Sequence, residues 1–152
     1  MAIALMLHVL AAAVWVGGMF FAYMVLRPVA AGLLEPPLRL TLWSRVFMGF
    51  FPWVWFAVIT LLLSGYGMLF GIFGGMAAAP IYVHLMQGMG VVMMLIFGHV
   101  FFAPFRRLKQ AVHDQDWQAG IKHLGVIRKL VGINLTLGLL VIAMAGGGRL
   151  MM

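Results

Sequence analysis

Long apolar stretches without a charged side chain make up most of the sequence. Asp, Glu, Lys and Arg are absent from residues 1–26, 46–105 and 130–148. A helix needs about 20 mostly apolar residues to cross a bilayer. The middle stretch therefore holds two such helices, separated by the Gly- and Ala-rich run at 74–80. The pattern predicts four membrane-spanning helices, at residues 3–26, 50–72, 81–103 and 129–147.

The composition agrees with an all-α, integral membrane four-helix bundle that forms one transmembrane domain over residues 1–152. The chain is 65% hydrophobic and 9% charged, whereas an average soluble domain has about 25% charged residues. A water-soluble bundle would therefore lack the polar residues to cover its surface. No basic segment precedes the first apolar stretch, which is longer than the roughly 7–15 apolar residues of a signal peptide, so we expect a retained helix.

The distribution of basic residues predicts the orientation in the membrane. Nine of the ten basic residues lie in the connections after the first and third helices, and only Arg149 lies at the other end. Because Lys and Arg collect on the cytoplasmic side, both termini are expected to lie outside. The net charge of +7 therefore reflects the topology, and it gives the protein some affinity for anionic lipid. No soluble basic module for nucleic-acid binding is present.

The connections at the basic side also have predicted structure. Pro36 is expected to begin a segment at 38–48 that lies along the membrane interface. Pro52 is then placed in the first turn of the second span, where proline is tolerated. The third helix is expected to continue to about His113, and Asp116 is a candidate N-cap of the fourth helix.

A weak internal repeat relates the two halves of the chain. A shift of 76 residues places His8 on His84 and Pro28 on Pro104, and each His lies 20 residues before its Pro. The halves would then be two parallel helical hairpins related by an axis along the membrane normal, as in one class of transporters. Chance similarity between apolar helices is the alternative.

His8 and His84 are the principal candidates for a functional site. An ionisable residue inside a span is a functional hypothesis by default, and both histidines lie about one turn from the outer end of their helices. Small neighbours such as Ala11 and Gly88 leave space for a flat ligand. Two facing imidazoles are suitable axial ligands for haem iron. The pattern therefore predicts haem b held by His8 and His84, with Arg149 beside a propionate. The alternative is that each His only caps its helix end.

His99 is a candidate ligand for a second haem near the basic side. It lies 15 residues after His84, about 22 Å deeper at 1.5 Å per residue. The repeat aligns His99 with Tyr23, which is another possible iron ligand. The alternative is a His that is hydrogen-bonded within the bundle. His113 and His123 are expected to be ordinary surface residues.

Methionine offers an alternative metal chemistry. The chain has 14 Met, and thioethers and imidazoles suit Cu(I). The methionines in the first and third spans are Met19, Met24, Met86, Met89, Met93 and Met94. Packing is the competing interpretation, because Met also fills gaps in apolar cores. The absence of Cys excludes disulfides, thiolate metal sites and iron–sulfur clusters. The spans contain no Asp, Glu or Lys for hydrolysis or a carboxylate proton relay.

Three segments resemble a known family. The opening sequence LHVLAAAVWVGG at 7–18 looks like the first helix of the copper resistance protein D (CopD) family. The segments FFPWVW at 50–55 and VHLMQG at 83–88 resemble its short bacterial members. The resemblance covers nearly the whole chain and implies a four-helix protein of the bacterial inner membrane, linked by name to copper uptake. The chain is also similar to HemJ-type protoporphyrinogen oxidases, which implies haem b with His8 as a ligand. The lysine expected early in their third helix is absent here.

These observations leave three functions. The first is a haem-b-binding redox protein that passes electrons to or from membrane quinone or another membrane redox protein, and that is an oxidoreductase if it is an enzyme. The second is a copper import or handling protein that depends on His84 and the methionines of the third span. The third is an accessory subunit without a cofactor, packed beside a larger membrane complex. Gly-rich faces also allow packing between copies in a homo-oligomer.

Overall fold

Four long helices account for most of the computed structural model, which describes residues 1–147. Each of these helices is long and apolar enough to cross a membrane. They are α1 (Ala2–Leu33), α2 (Pro36–Phe73), α3 (Ile81–His113) and α4 (Trp117–Gly147). The predicted all-α fold with four spans is confirmed, and the chain is a multi-pass membrane protein.

The connections define two ends of the bundle. At one end, which we call the basic end, α1 joins α2 and α3 joins α4 through only a few residues. At the other, the N-terminal end, α2 joins α3 through a longer connection that contains a short 3₁₀ turn, Met76–Ala78. Gly74 ends α2 with a φ of 71°, a left-handed conformation that glycine adopts without steric cost.

Helices replace the interfacial segment and loops predicted at the basic end. The segment 38–48 is not a separate interfacial element, because α2 is continuous from Pro36 to Phe73 and contains Pro52. The physical reason is packing, since Leu40, Trp43 and Phe47 are all buried on this extension. The predicted position of Pro52 in the first turn of α2 was therefore wrong.

The predictions for the connection between α3 and α4 hold. The third helix reaches His113. Asp116 precedes α4, and its Oδ1 accepts a hydrogen bond from the backbone N–H of Ala119 at 3.0 Å. This is the geometry of an N-cap, which satisfies one of the free N–H groups in the first turn.

Two helices contain irregularities that the sequence pattern did not indicate. Residues Phe21–Leu26 of α1 form a π-helical turn. The third helix is broken at Ala103, between Ile81–Phe102 and Pro104–His113. Pro28 and Pro104, which the internal repeat aligns, each lie just after one of these irregularities.

Aromatic side chains fill the centre of the bundle. Phe51 of α2 packs edge-on against Phe97 and Phe105 of α3, with ring centroids 5.4 and 4.8 Å apart. Trp15 of α1 joins this cluster, 6.1 Å from Phe97. Large apolar side chains also cover the outer surface; Leu63, for example, is 73% exposed. In a chain with membrane-spanning helices, this surface is in contact with lipid.

Candidate functional site

A hydrogen bond between His8 and Ser64 links α1 to α2 near the N-terminal end. The His8 Nδ1 atom lies 2.8 Å from the Ser64 Oγ atom. His8 is half-buried, and it lies on the side of α1 that also carries the buried residues Ala11 and Trp15. The ring therefore turns towards the bundle and not towards lipid.

The partners of Ser64 determine which nitrogen of His8 carries the proton. Ser64 is four residues after Thr60 on α2, and its hydroxyl donates a hydrogen bond to the Thr60 carbonyl oxygen. Because the hydroxyl proton is used there, Oγ acts as the acceptor for an N–H on Nδ1 of His8. The neutral ring then has an unprotonated Nε2 with a free lone pair. A metal ligand needs an unprotonated ring nitrogen, and in this tautomer that nitrogen is Nε2.

A glycine on α2 provides the space for the His8 ring. A Cβ atom at Gly65 would lie 3.3 Å from Cε1 of His8 and 3.7 Å from Nδ1. The ring therefore packs directly against the backbone of α2. Any larger residue at this position would have to displace it.

A methionine lies on the same face of α2 as Ser64. Met68 lies four residues after Ser64, and Gly71 lies three residues after Met68, so all three share one side of the helix. Ser64 contacts His8 of α1, and Gly71 packs against the Met1 side chain. Because Ser64 contacts His8 of α1 and Gly71 contacts Met1 just before α1, we infer that half-buried Met68 lies in the seam between α1 and α2.

The structure brings His84 to a height similar to that of His8, on the side of α3 that faces away from Met93. Val16 of α1 and Met93 of α3 both lie close to Gly138 of α4. His8 lies eight residues before Val16, and His84 lies nine residues before Met93. At 1.5 Å per residue, the two histidines therefore lie about 12 and 13.5 Å closer to the N-terminal end than these contacts. At about 100° per residue, however, His84 lies on the side of α3 opposite Met93. His84 therefore shares the face of α3 that carries Gln87, three residues later.

The side chain that fixes α3 to α2 at this end is Gln87. Its Nε2 donates a hydrogen bond to the Tyr66 hydroxyl at 2.8 Å. His84 lies one turn further towards the N-terminal end and is half-buried.

The other candidate residues are dispersed. His99 is exposed on the surface of α3, and Tyr23, with which the repeat aligns it, packs against Gly132 of α4. His113 is exposed and His123 half-buried at the basic end. Arg149 lies outside the described residues.

The methionines of the first and third spans divide into core and surface residues. Met19 and Met93 are buried in the core, and Met24 is exposed. Met86, Met89 and Met94 are half-buried. Within residues 1–147, no cluster of three or more His, Cys, Asp or Glu side chains is arranged to hold a metal ion.

Asn134 is a buried polar residue that the sequence analysis missed. It is 3% exposed, and its Nδ2 donates to the Met93 carbonyl oxygen at 3.3 Å. Its Oδ1 has no partner among the described residues, and Asn134 is one of the residues that line a cavity of about 30 Å³. This volume is sufficient for one water molecule. The sequence signal that could have identified this residue is a lone Asn inside an apolar helix.

The fold and the polar contacts between its helices define a multi-pass α-helical membrane protein. The family model described as copper resistance protein D (CopD) matches residues 44–147. The chain therefore belongs to the CopD family, as its sequence motifs indicated, and is a membrane protein related to copper resistance. Ser64 and His84 lie inside the matched region, whereas His8 lies before it. No curated protein and no solved structure matches the chain.

The geometry of the N-terminal end gives no support to the predicted bis-histidine haem. The His8 ring rests on Gly65 and Ser64 of α2, and His84 lies on the side of α3 opposite Met93. A haem held by both histidines would use the free Nε2 of His8 and would need the His84 side chain to turn towards α1. Copper differs in this respect, because a single ion needs no planar slot between helices.

Proposed function

We propose that this CopD-family chain handles copper, and that Nε2 of His8 is the first ligand for Cu(I) as cargo. The observation that carries the proposal is the chain of hydrogen bonds from Thr60 through Ser64 to His8. Metal-ligating histidines commonly donate their second ring N–H to an oxygen acceptor, which fixes the tautomer and the ring orientation. Ser64 is suited to this role.

Thioether ligands complete the proposed site. Met68 lies one turn from Ser64 on the face of α2 that packs against α1, and Met1 lies beside Gly71 on the same seam. Imidazole and thioether are soft enough for Cu(I), and no carboxylate or thiolate is required. The seam between α1 and α2 would thus provide nitrogen and sulfur ligands in an apolar setting.

The proposed location follows from the charge distribution. We place the protein in a bacterial cytoplasmic membrane with its basic end inside, in accordance with the positive-inside rule. The His8 site would then lie near the outer face, where copper arrives from outside the cytoplasm. His84 and the half-buried Met86 and Met89 of α3 are candidates for a second, later position of the ion.

Titration of the purified protein with Cu(I) tests this proposal. Anaerobic competition against a chromophoric Cu(I) chelator measures the affinity, and X-ray absorption identifies nitrogen and sulfur ligands. We expect bound Cu(I) in the wild type, about tenfold or greater weakening in His8→Ala, and no change in His113→Ala. Equal affinity in His8→Ala and the wild type would overturn the assignment of His8.

Haem b is the second candidate, as part of an electron-transfer protein. It is favoured by the similar heights of His8 and His84 and by the unprotonated Nε2 of His8. It requires the His84 side chain to turn towards α1. An optical spectrum of protein from haem-replete cells distinguishes the two candidates, because haem gives a Soret band that shifts on reduction. Colourless protein that does not bind added haemin would eliminate this candidate.

A further inference from the structure

A second candidate site lies at the basic end, far from His8. It is a partly open cleft of about 290 Å³ between α1, α2 and α4. Arg27, Arg39 and Arg128, one from each of these helices, line it. The sequence separates these arginines by up to 101 residues, so only the fold brings them together.

The local structure of α1 directs Arg27 to the cleft. The π-helical turn Phe21–Leu26 ends where the N–H of Arg27 bonds to the carbonyl oxygen of Ala22. Such turns insert an extra residue and often occur at functional sites. The Arg27 guanidinium lies 4.9 Å from the centroid of the Tyr23 ring, and Tyr23 itself packs against Gly132 of α4. Arg27 is therefore held in place by a stacked neighbour.

The charge of the cleft is not compensated by its own walls. No acidic residue is among the described residues that line it. Of the three acidic residues in the chain, Asp114 accepts hydrogen bonds from Gln110 and Asp116 caps α4. The third, Glu35, is exposed. Three guanidiniums without a carboxylate among them are suited to an anion, and phosphate oxygens match guanidinium geometry best.

The remaining wall of the cleft is apolar. Leu40, Trp43 and Phe47 of α2 line one side, and Ile127 and Val131 of α4 line the other. A free inorganic anion gains no binding free energy from such an apolar surface, whereas an amphiphile gains it by burying hydrocarbon there. The volume lies at the lower limit of small-molecule pockets, about 300–1,000 Å³. It suits a headgroup whose hydrocarbon chains continue along the outer, lipid-covered surface.

We propose that this cleft binds the phosphate headgroup of an anionic phospholipid, with Arg27, Arg39 and Arg128 as its ligands. Basic pockets between helices at this end of a membrane protein are known to recognise such headgroups. The site is independent of the proposed copper site and would stabilise the junction of α1, α2 and α4.

Lipid retention tests the proposal on the full chain. The protein is reconstituted in phosphatidylcholine nanodiscs with and without phosphatidylglycerol, and the lipids that remain bound after release are counted by native mass spectrometry. We expect wild-type protein to retain phosphatidylglycerol selectively. The triple variant Arg27→Gln, Arg39→Gln, Arg128→Gln should lose at least about tenfold in retention, since hydrogen bonds to charged groups contribute this much or more.

A matched variant separates the cleft from general surface charge. Arg106, Arg107 and Lys109 lie at the same end, are exposed, and do not line the cleft. Their simultaneous replacement by Gln removes the same charge and should leave retention within about twofold of the wild type. Equal losses in both triple variants would overturn the proposal, because a surface potential would then explain the binding.

Two further measurements keep the test decisive. If the cleft triple variant does not fold in phosphatidylcholine, the single variant Arg128→Gln replaces it, because Arg128 is exposed and its loss should still lower retention several-fold. Thermal unfolding of the wild type is also followed with inorganic phosphate alone. Phosphate should have little effect, and stabilisation equal to that by phosphatidylglycerol would overturn the lipid assignment.

Discussion

Ser64 of α2 accepts a hydrogen bond from His8 of α1, with Nδ1 and Oγ 2.8 Å apart, although the two residues are separated by 56 positions in the sequence. Because the Ser64 hydroxyl proton is bonded to the Thr60 carbonyl oxygen, this contact leaves Nε2 of His8 as the free, unprotonated nitrogen. The chemistry available to His8 therefore depends on a residue of another helix.

The first prediction concerns Ser64 as a positioning residue. Ser64→Ala removes the acceptor for Nδ1, so the ring loses its fixed tautomer and orientation. We expect the affinity of His8 for Cu(I) to fall by about 10- to 100-fold, the usual effect of losing such a partner. Ser64→Thr should restore most of it. Anaerobic competition titration measures both variants.

Thr136 provides the control for Ser64. Its hydroxyl also donates to the carbonyl oxygen four residues earlier, Gly132, at 3.0 Å, but it does not approach His8. Thr136→Ala should leave Cu(I) binding unchanged. If Ser64→Ala has no larger effect than Thr136→Ala, Ser64 does not position the ligand.

The second prediction uses two nearby glycines of α2. A Cβ at Gly65 would lie 3.3 Å from the His8 ring, whereas at Gly67 it would meet nothing within 4 Å. Both Gly→Ala variants gain the same helix propensity, about 1 kcal/mol. Only Gly65→Ala should weaken Cu(I) binding, and its gain in stability should be smaller. Equal metal affinities in the two variants would show that the ring does not pack against α2.

The third prediction concerns the adjacent pair Gly17 and Gly18. At Gly18 a Cβ would collide with the Phe50 ring of α2, whereas at Gly17 it would meet nothing within 4 Å. Gly18→Ala should lower the free energy of unfolding by about 1–3 kcal/mol, the usual cost of overpacking. Gly17→Ala should be neutral or stabilising. Reversible unfolding in mixed detergent micelles measures both, and a larger loss for Gly17→Ala would contradict the packing of α1 on α2.

The fourth prediction concerns Asn134, whose Oδ1 is buried without a partner. Asn134→Leu gives up one hydrogen bond, worth about 0.6 kcal/mol in a membrane protein. It also removes a buried unsatisfied oxygen, and the presence of such a group costs the folded wild type about 1–3 kcal/mol. We expect Asn134→Leu to be as stable as the wild type or more stable, and Asn134→Ala to be destabilised by the cavity it leaves. A larger loss for Leu than for Ala would instead indicate a bound water that satisfies Oδ1.

The number of helices and their approximate positions were predictable because they depend on local properties. The length of each charge-free stretch determines whether a helix can cross the bilayer, and residues 46–105 contain room for two. The cap at Asp116 and the break at Gly74 were also local signals. The extent of α2 towards Pro36 was not local, since it depends on the burial of Leu40 and Trp43 against other helices.

By itself the sequence determined a four-helix membrane protein of the CopD family with a histidine near one end. The tertiary structure decided which partner His8 has, which side of α3 carries His84, and that three distant arginines line one cleft. The physical reason is that these helices are apolar on nearly every side, so the hydrophobic pattern carries little information about their rotation. Contacts between helices, such as Val16 on Gly138 and Gly18 on Phe50, determine that rotation.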